Sequence, residues 1–381
     1  MDIANKSRKY DVIIAGAGPA GCACALSLQN SGLRVALFDK QTFPRDKVCG
    51  DAIPGRSIRT LGEINPLYAE AFRQFPEKYL TRSTSLYYKG KILERTWVRE
   101  AYTCARIHFD FFLFSLVEAC KSVDVYPATA VNKVSIQGDE VHIQAGKTGE
   151  VYTAKAIVGA DGAHSVVAKQ LTAQTLNRKH HVASVRAYYK NVSLTNTDRT
   201  EIFFDRTFFP GYLWIFPLPG NLTNVGFGML SAEIARRKIN LKESFYAFIQ
   251  NTPALKERFR QAEPVGELQG FGLPIGSHRP GLSGERFLLA GDAGSLIDPA
   301  SGDGIGNAML SGRLAARQLL KSFQKNDFST RFLQQYDQAL YKTIGPELRT
   351  STLLLRTGSR FPFLLDMAFL AGKKEGSLNR L

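Results

Sequence analysis

The most specific chemistry in the chain is written in one short turn, Gly16-Ala17-Gly18-Pro19-Ala20-Gly21. Gly16 permits a tight bend, Gly18 lets a pyrophosphate approach the backbone, and Gly21 lets a helix and a strand pack closely. A helix opening at Pro19 and Ala20 adds free N–H groups and a partial positive charge, which suits a phosphate. Asp39, with Lys40 beside it, places a carboxylate where ribose hydroxyls are held. A second set lies far along the chain: Gly291-Asp292-Ala293-Gly294-Ser295, followed by Asp298-Pro299 and Gly302-Asp303-Gly304-Ile305. Asp292 can accept from a ribityl hydroxyl, and the helix that starts after Gly304 can stabilise negative charge on a reduced flavin ring. Gly159-Ala160-Asp161-Gly162 offers another carboxylate at a strand end, and Arg106 offers a cation to a diphosphate or is simply a solvated charge. In combination these stretches predict bound FAD.

Regular elements must hold these residues in place. Tyr10–Ala15 reads as a buried strand, Cys22–Gln29 as a helix, and Leu33–Phe38 as a second buried strand ending at Asp39, which together form a β-turn-α-β unit. Ala156–Gly159 and Arg286–Ala290 are further apolar runs of strand type, each ending at a Gly and Asp pair. Alternating apolar and polar residues over 131–136, 140–144 and 151–154 predict a small antiparallel sheet. From about His181 to Gly276 strand-like runs carry many aromatics and are interrupted by a helical stretch over 231–260. A long helix is expected over 304–323, with one or two more over 328–360. The expected division is a discontinuous FAD-binding domain (1–80, 101–180 and 277–330), a substrate-binding domain (81–100 and 181–276) and a C-terminal helical segment (331–381).

Composition narrows the partners. A net charge of +15 favours anions, but the basic residues are scattered and form no nucleic-acid module, so nucleic acid is not expected. An anionic membrane surface or a phosphorylated lipid fits better. Cys22, Cys24, Cys49, Cys104 and Cys120 form no C-x-x-C pair, and the histidines lack ligand spacing, so no metal is expected. No secretory signal and no apolar run long enough to span a bilayer is visible, which makes a cytoplasmic location the expectation. Peripheral contact with the inner face of a membrane is compatible with two apolar stretches, Leu353–Leu355 and Phe361–Leu370, flanked by Arg349, Arg360, Lys373 and Lys374. The same stretches could equally dock on the body of the protein.

The order of these motifs resembles the single-component flavoproteins with a para-hydroxybenzoate hydroxylase type of FAD domain. The resemblance covers about residues 1–345. It implies an α/β fold: a Rossmann-like FAD-binding domain, with a parallel sheet and a small antiparallel sheet, into which an α+β substrate domain built on an antiparallel sheet is inserted. Within that class, Val48-Cys49-Gly50-Asp51, preceded by Arg45 and Lys47, is similar to the Cys-Gly segment of the geranylgeranyl reductase family. Tyr212-Leu213-Trp214-Ile215-Phe216-Pro217 is similar to that family's Tyr-x-Trp-x-Phe-Pro motif. Gly291-Asp292-Ala293-Gly294-Ser295 also lacks the His that aromatic hydroxylases commonly carry after this Gly-Asp. Asp51 departs from the family, which often has a second Gly there.

The resemblance implies an FAD-dependent oxidoreductase that reduces C=C bonds of an isoprenoid, geranylgeranyl-type lipid with hydride from reduced flavin. Gly16, Gly18, Gly21, Asp39, Arg45, Cys49, Gly50, Arg106, Asp161, Gly291 and Asp292 would surround FAD, while Arg45 and Lys47 could also meet a diphosphate head. Cys49 would act as gate or proton donor beside the flavin, or be an inert thiol. Tyr212, Trp214 and Phe216 share one strand face and form either core or an apolar wall for a prenyl chain. The electron donor would bind transiently, as NAD(P)H, ferredoxin or a quinol, since no second dinucleotide fingerprint is present. A monomer or weak oligomer is expected. The rival readings are a monooxygenase or halogenase acting on an apolar or aromatic substrate, and a flavin electron-transfer protein serving a quinone.

Overall fold

The computed structural model describes residues 8–174 and 177–371, and its FAD-type half is built on a parallel sheet. Phe287–Leu289, Ala156–Gly159, Val12–Ala15, Val35–Phe38 and Val123–Tyr126 lie side by side in that order, all parallel, with Ser283–Gly284 as an antiparallel edge. Alternate residues feed two separate cores. Val12, Ile14, Val35, Leu37 and Val158 pack against helices Pro19–Leu28, Arg106–Glu118 and Ile305–Lys325. Ile13, Ala15, Ala36, Phe38 and Ile157 pack against a four-stranded sheet of Arg8–Lys9, Glu150–Ala154, Glu140–Ala145 and Val131–Gln137. Burial on both faces explains why these strands are unbroken apolar runs in the sequence.

The second half is an eight-stranded sheet in the order Glu263–Pro274, His181–Lys190, Leu222–Leu230, Tyr212–Leu218, Arg199–Phe204, Tyr79–Tyr88, Lys91–Thr103 and Ala52–Ile53. All neighbours are antiparallel except Arg199–Phe204 and Tyr79–Tyr88, which run parallel. The stretch expected to be helical over 231–260 resolves into three short helices, Ser231–Arg237, Leu241–Asn251 and Pro253–Arg258. Phe245, Phe248, Ile249 and Leu255 from two of them cover one face of the sheet together with Leu213, Ile215, Val225 and Phe227.

Thr330–Arg360 is a single helix that continues through Pro346. Leu333, Tyr336, Leu340, Ile344 and Leu348 make one buried stripe at helical spacing, which holds the helix to the body on both sides of the proline. The last described helix, Phe363–Ala371, docks Leu365 and Phe369 beside Tyr88, and its Asp366 accepts hydrogen bonds from Tyr88 (2.9 Å) and Lys89 (2.8 Å). Its other face leaves Phe363, Met367 and Leu370 exposed. The segment is thus docked and apolar-faced at once; Lys373 and Lys374 lie outside the described residues.

Candidate active site

The glycine turn is shaped by close backbone contacts. A Cβ on Gly21 would sit 1.8 Å from the Gly16 carbonyl oxygen, and one on Gly16, where φ is +99°, would sit 2.3 Å from that of Ala160. Gly18 is different. A Cβ there would meet only the Arg45 guanidinium, at 3.7 Å, so the position opens onto a cleft that a pyrophosphate fits. Asp39 Oδ2 accepts the Ala17 N–H (2.9 Å) and Oδ1 accepts that of Gln41 (2.9 Å), which fixes the carboxylate at the cleft wall. Asp161 caps the helix Val166–Leu171 through Oδ2, while its buried Oδ1 has no partner. Burial pushes the Asp161 carboxyl above its usual range despite the donors around it. At the far end the helix Ile305–Lys325 starts after Gly304, with Asp303 Oδ1 accepting the Gly306 N–H (3.5 Å) and with Gly304 and Ile305 lining the cleft. The open glycine, the unpartnered carboxylate oxygen and the helix start at Ile305 all border this cleft, and they suit a dinucleotide such as FAD.

The loop that carries Cys49 is fastened to both halves by charges. Arg45 Nη1 donates to Asp110 (2.8 Å), Lys47 Nζ to Asp292 (2.9 Å), and Arg186 Nη2 to Asp46 (2.6 Å). Asp110 is fully buried and also takes two bonds from Arg106, at 2.6 and 2.7 Å. Burial alone would raise its pKa, but the charge and hydrogen bonds of Arg106, helped by Arg45 and Lys47, hold it below the usual carboxylate range. Arg106 lies beside Cys49 with its guanidinium engaged by Asp110, and Arg45 and Lys47 each face a carboxylate.

Asp51 explains its own departure from the family pattern. Its φ is +63°, a left-handed conformation that favours glycine, yet its carboxylate is fully buried and held by three donors. Oδ2 accepts from Asn224 Nδ2 (2.7 Å) and the Tyr188 hydroxyl (2.8 Å), and Oδ1 from the Arg106 N–H (3.2 Å). Burial lifts the Asp51 carboxyl to about 6 against the pull of Asn224, Arg186 and Tyr188. Asn224 also donates to the Cys49 carbonyl (2.7 Å) and accepts from Trp214 Nε1 (2.8 Å). One buried amide therefore ties the cysteine loop to the aromatic strand.

That strand settles which of two faces its aromatics occupy. Leu213 and Ile215 point into the core, whereas Tyr212, Trp214 and Phe216 line the cavity. A Cβ on Gly50 would lie 3.2 Å from the Phe216 ring and 3.5 Å from Trp214 Nε1, so the Cys-Gly turn rests on this wall. Gly226 makes room for the Trp214 ring, since a Cβ there would approach Cζ2 to 2.0 Å. Tyr212 donates to the Ser301 carbonyl (2.7 Å), which joins the wall to the turn before Gly304. Not every aromatic of this region faces the same way: Phe203, Phe208 and Phe227 pack in the core, and Phe204 and Phe209 pack near the last helix.

Nucleotide cleft and aromatic wall form one continuous cavity of about 1700 Å³. Of the residues singled out from the sequence, all line it except Gly21, whose part is the close helix packing above; Pro19, Ala20, Lys40, Gly291, Pro299, Gly302 and Ile305 are among those that do. Asp303 lines it too, and burial lifts its carboxyl to about 6 although Arg56 pulls the other way. Asn224, Asp51, Tyr188 and Arg186 escape sequence reading. The only local signal is that Asp51 stands where glycine is usual.

The family pattern described as an FAD binding domain matches residues 9–340. A digeranylgeranylglycerophospholipid reductase of Methanococcus vannielii is 27% identical over 354 residues, covering 91% of this chain and 86% of the relative. The solved structure of a geranylgeranyl bacteriochlorophyll reductase-like protein from Thermoplasma acidophilum is 25% identical, with a TM-score of 0.76 over 88% of this chain and 84% of that one. A halogenase solved with FAD has a TM-score of 0.75 at 19% identity, covering 90% of this chain and 75% of its own, and so shares the fold. A family match of that length makes this chain a member of the FAD-binding domain family, an FAD-dependent oxidoreductase with geranylgeranyl reductase-like relatives.

Proposed function

We propose that the protein reduces C=C bonds in the isoprenoid chain of a lipid. The observation that carries this reading is the side-by-side placement of the Cys49-Gly50 turn and the Tyr212, Trp214 and Phe216 wall in a cavity of about 1700 Å³. That exceeds the roughly 300–1,000 Å³ of a pocket for one small ligand and leaves room for a long apolar chain beside the cofactor. Bound reduced FAD supplies the hydride. The protein's own part is to align the alkene and exclude water. Trp214, locked by Asn224 and seated on Gly226, presents a fixed ring face to the chain; Tyr212 and Phe216 extend that face. Cys49, beside Arg106 and partly exposed to the cavity, is the candidate proton donor or gate. Gly16, Gly18, Asp39, Asp161 and Asp292 hold the cofactor in this reading.

No helix among the described residues is long and apolar enough to cross a membrane. Peripheral contact is supported by the exposed apolar side chains Leu353, Leu354, Phe361, Phe363, Met367 and Leu370, which lie on the last two described helices and the joint between them. A transient electron donor completes the cycle.

The test is a single turnover. Anaerobically reduced holoprotein is mixed with a geranylgeranylated ether lipid, and the product is weighed. Reoxidation of the flavin with a gain of two hydrogens per bond supports the reading. An unchanged lipid rejects it, and so does a product with added oxygen or halogen when oxygen and halide are supplied.

A further inference from the structure

Arg59, Arg95 and Arg99 all line the cavity, and Arg59 and Arg99 are also solvent-exposed, so they stand at its rim. Four acidic residues near them in sequence or space are each paired with another arginine. Glu63 pairs with Arg313 (3.0 Å), Glu347 with Arg56 (2.5 Å), Glu94 with Arg199 (2.6 Å) and Glu100 with Arg73 (2.6 Å). Among the described residues no carboxylate stands within 4.0 Å of Arg59, Arg95 or Arg99. Burial, and then the charges of Arg99 and Arg56, hold Arg59 below the usual guanidinium pKa. Glu63 and Glu347 pull the other way but less strongly, so a ligand that brings an anion between the like charges is favoured.

The backbone is shaped to produce this cluster. Thr96 pairs with Ser83 and Ala101 with Thr81, so Trp97-Val98-Arg99-Glu100 oppose Arg82 alone in a wide bulge. The bulge leaves Trp97 52% and Val98 95% exposed at the rim. Gly55, first residue of the helix that carries Arg59, lets that helix close on the bulge: a Cβ there would lie 2.7 Å from the Glu100 carbonyl oxygen and 3.1 Å from Arg99 Cβ. The rim lies close to the start of the helix Ile305–Lys325, because Arg56, one turn before Arg59, donates to Asn307 in that helix's first turn.

We propose that Arg59 and Arg99 form the receiving site for the phosphate group of an anionic prenyl substrate. Arginine forks match phosphate oxygens in pairs, and the exposed Trp97 and Val98 give the start of the prenyl chain an apolar lip. Arg45 and Lys47 are poorer candidates, since Asp110 and Asp292 already neutralise them. The inference rests on the isoprenoid reading above and separates phosphorylated prenyl substrates from neutral ones.

The test uses FAD-loaded protein and three probes: geranylgeranyl diphosphate, vesicles of a neutral lipid containing a digeranylgeranylglycerol phosphate, and geranylgeraniol. Binding is followed by flavin fluorescence in the unaltered chain, in Arg59→Gln/Arg99→Gln and in Arg59→Lys/Arg99→Lys, with flavin content as the check on folding. The Gln pair should weaken binding of a phosphate-bearing probe roughly ten- to a hundredfold and that of geranylgeraniol less than about twofold, with the Lys pair in between. Loss confined to the free diphosphate identifies a soluble prenyl ester as the source of the phosphate, and loss on vesicles a lipid headgroup; either supports the site. Equal loss for all three probes, or none, overturns it. So does unchanged binding with slowed flavin reduction by NADPH, which would give the arginines to the electron donor. If the unaltered chain binds none of the three, the isoprenoid reading itself fails; if it binds all three and the Gln pair changes nothing, only this inference does.

Discussion

The nucleotide cleft and the aromatic wall bound the same cavity but are made in opposite ways. The cleft is backbone work: Gly16, Gly21 and Ala160 meet through main-chain atoms, and one turn of sequence supplies most of the contact. The wall is side-chain work. Cys49, Asp51, Tyr188, Trp214 and Asn224 come from one loop and three strands and meet through a buried amide and carboxylate. A backbone cradle admits one ligand shape and tolerates no added atom. A side-chain wall can be retuned, which suits it to the part of the site that chooses a substrate.

Glycine substitutions in the two regions break this comparison most sharply. Gly21→Ala puts a methyl 1.8 Å from the Gly16 carbonyl oxygen; a cost of about 3 kcal/mol or more and near-complete loss of bound flavin are expected, read from absorbance of the purified protein. Asn224→Leu should cost about 2–3 kcal/mol in denaturant unfolding, because the Asp51 carboxylate and the Trp214 N–H both lose a partner. Retention of FAD with loss of lipid turnover would sharpen the division between the regions; loss of both together would blur it. Gly226→Ala, with its methyl 2.0 Å from the Trp214 ring, should cost about 1–3 kcal/mol, keep flavin content and raise KM for the lipid more than it lowers kcat. An unchanged KM would show that Trp214 does not touch substrate.

The smallest effect is a slope. Asp51 and Asp303 both rise from 3.8 to about 6, so the native state binds their protons more tightly than the unfolded chain does. Their contribution to stability is complete below about pH 4 and is lost as pH climbs through about 6. Melting temperature against pH should therefore fall across that window, and Asp303→Asn should flatten part of the fall. A variant with an unaltered profile would mean that Asp303 does not carry the shift.

The difference in construction also decides what could be read from the sequence. The β-turn-α-β unit, Asp39, Asp161 and the Gly291-Asp292 turn are local patterns, and each lines the cavity. The period-two spacing of Tyr212, Trp214 and Phe216 was legible, but its direction was not, since Leu213 and Ile215 are equally apolar and only the finished sheet decides which face meets the core. Asp51 and Asn224 carry no local signal for each other, because a contact between residues 173 positions apart follows from topology alone. Pro346 would ordinarily break a helix; the buried stripe from Leu333 to Leu348 overrides it. The bulge at Trp97 was likewise invisible, being fixed by pairing with Thr81 and Ser83 rather than by its own residues.

The parallel pairing of Tyr79–Tyr88 with Arg199–Phe204 has a consequence for how the molecule is born. Thr84 and Thr200 share a hydrogen bond across 116 positions, so a ribosome must add more than a hundred residues before this edge finds its neighbour. Until then the Tyr79–Thr103 hairpin carries a bare row of peptide groups, the template on which stray strands assemble. Such long-range closure is slow compared with forming the glycine-turn unit, whose strands are neighbours in the chain. A strand that ends up inside the mature sheet is thus the nascent chain's longest-open wound, and the step at which a holding chaperone would matter most.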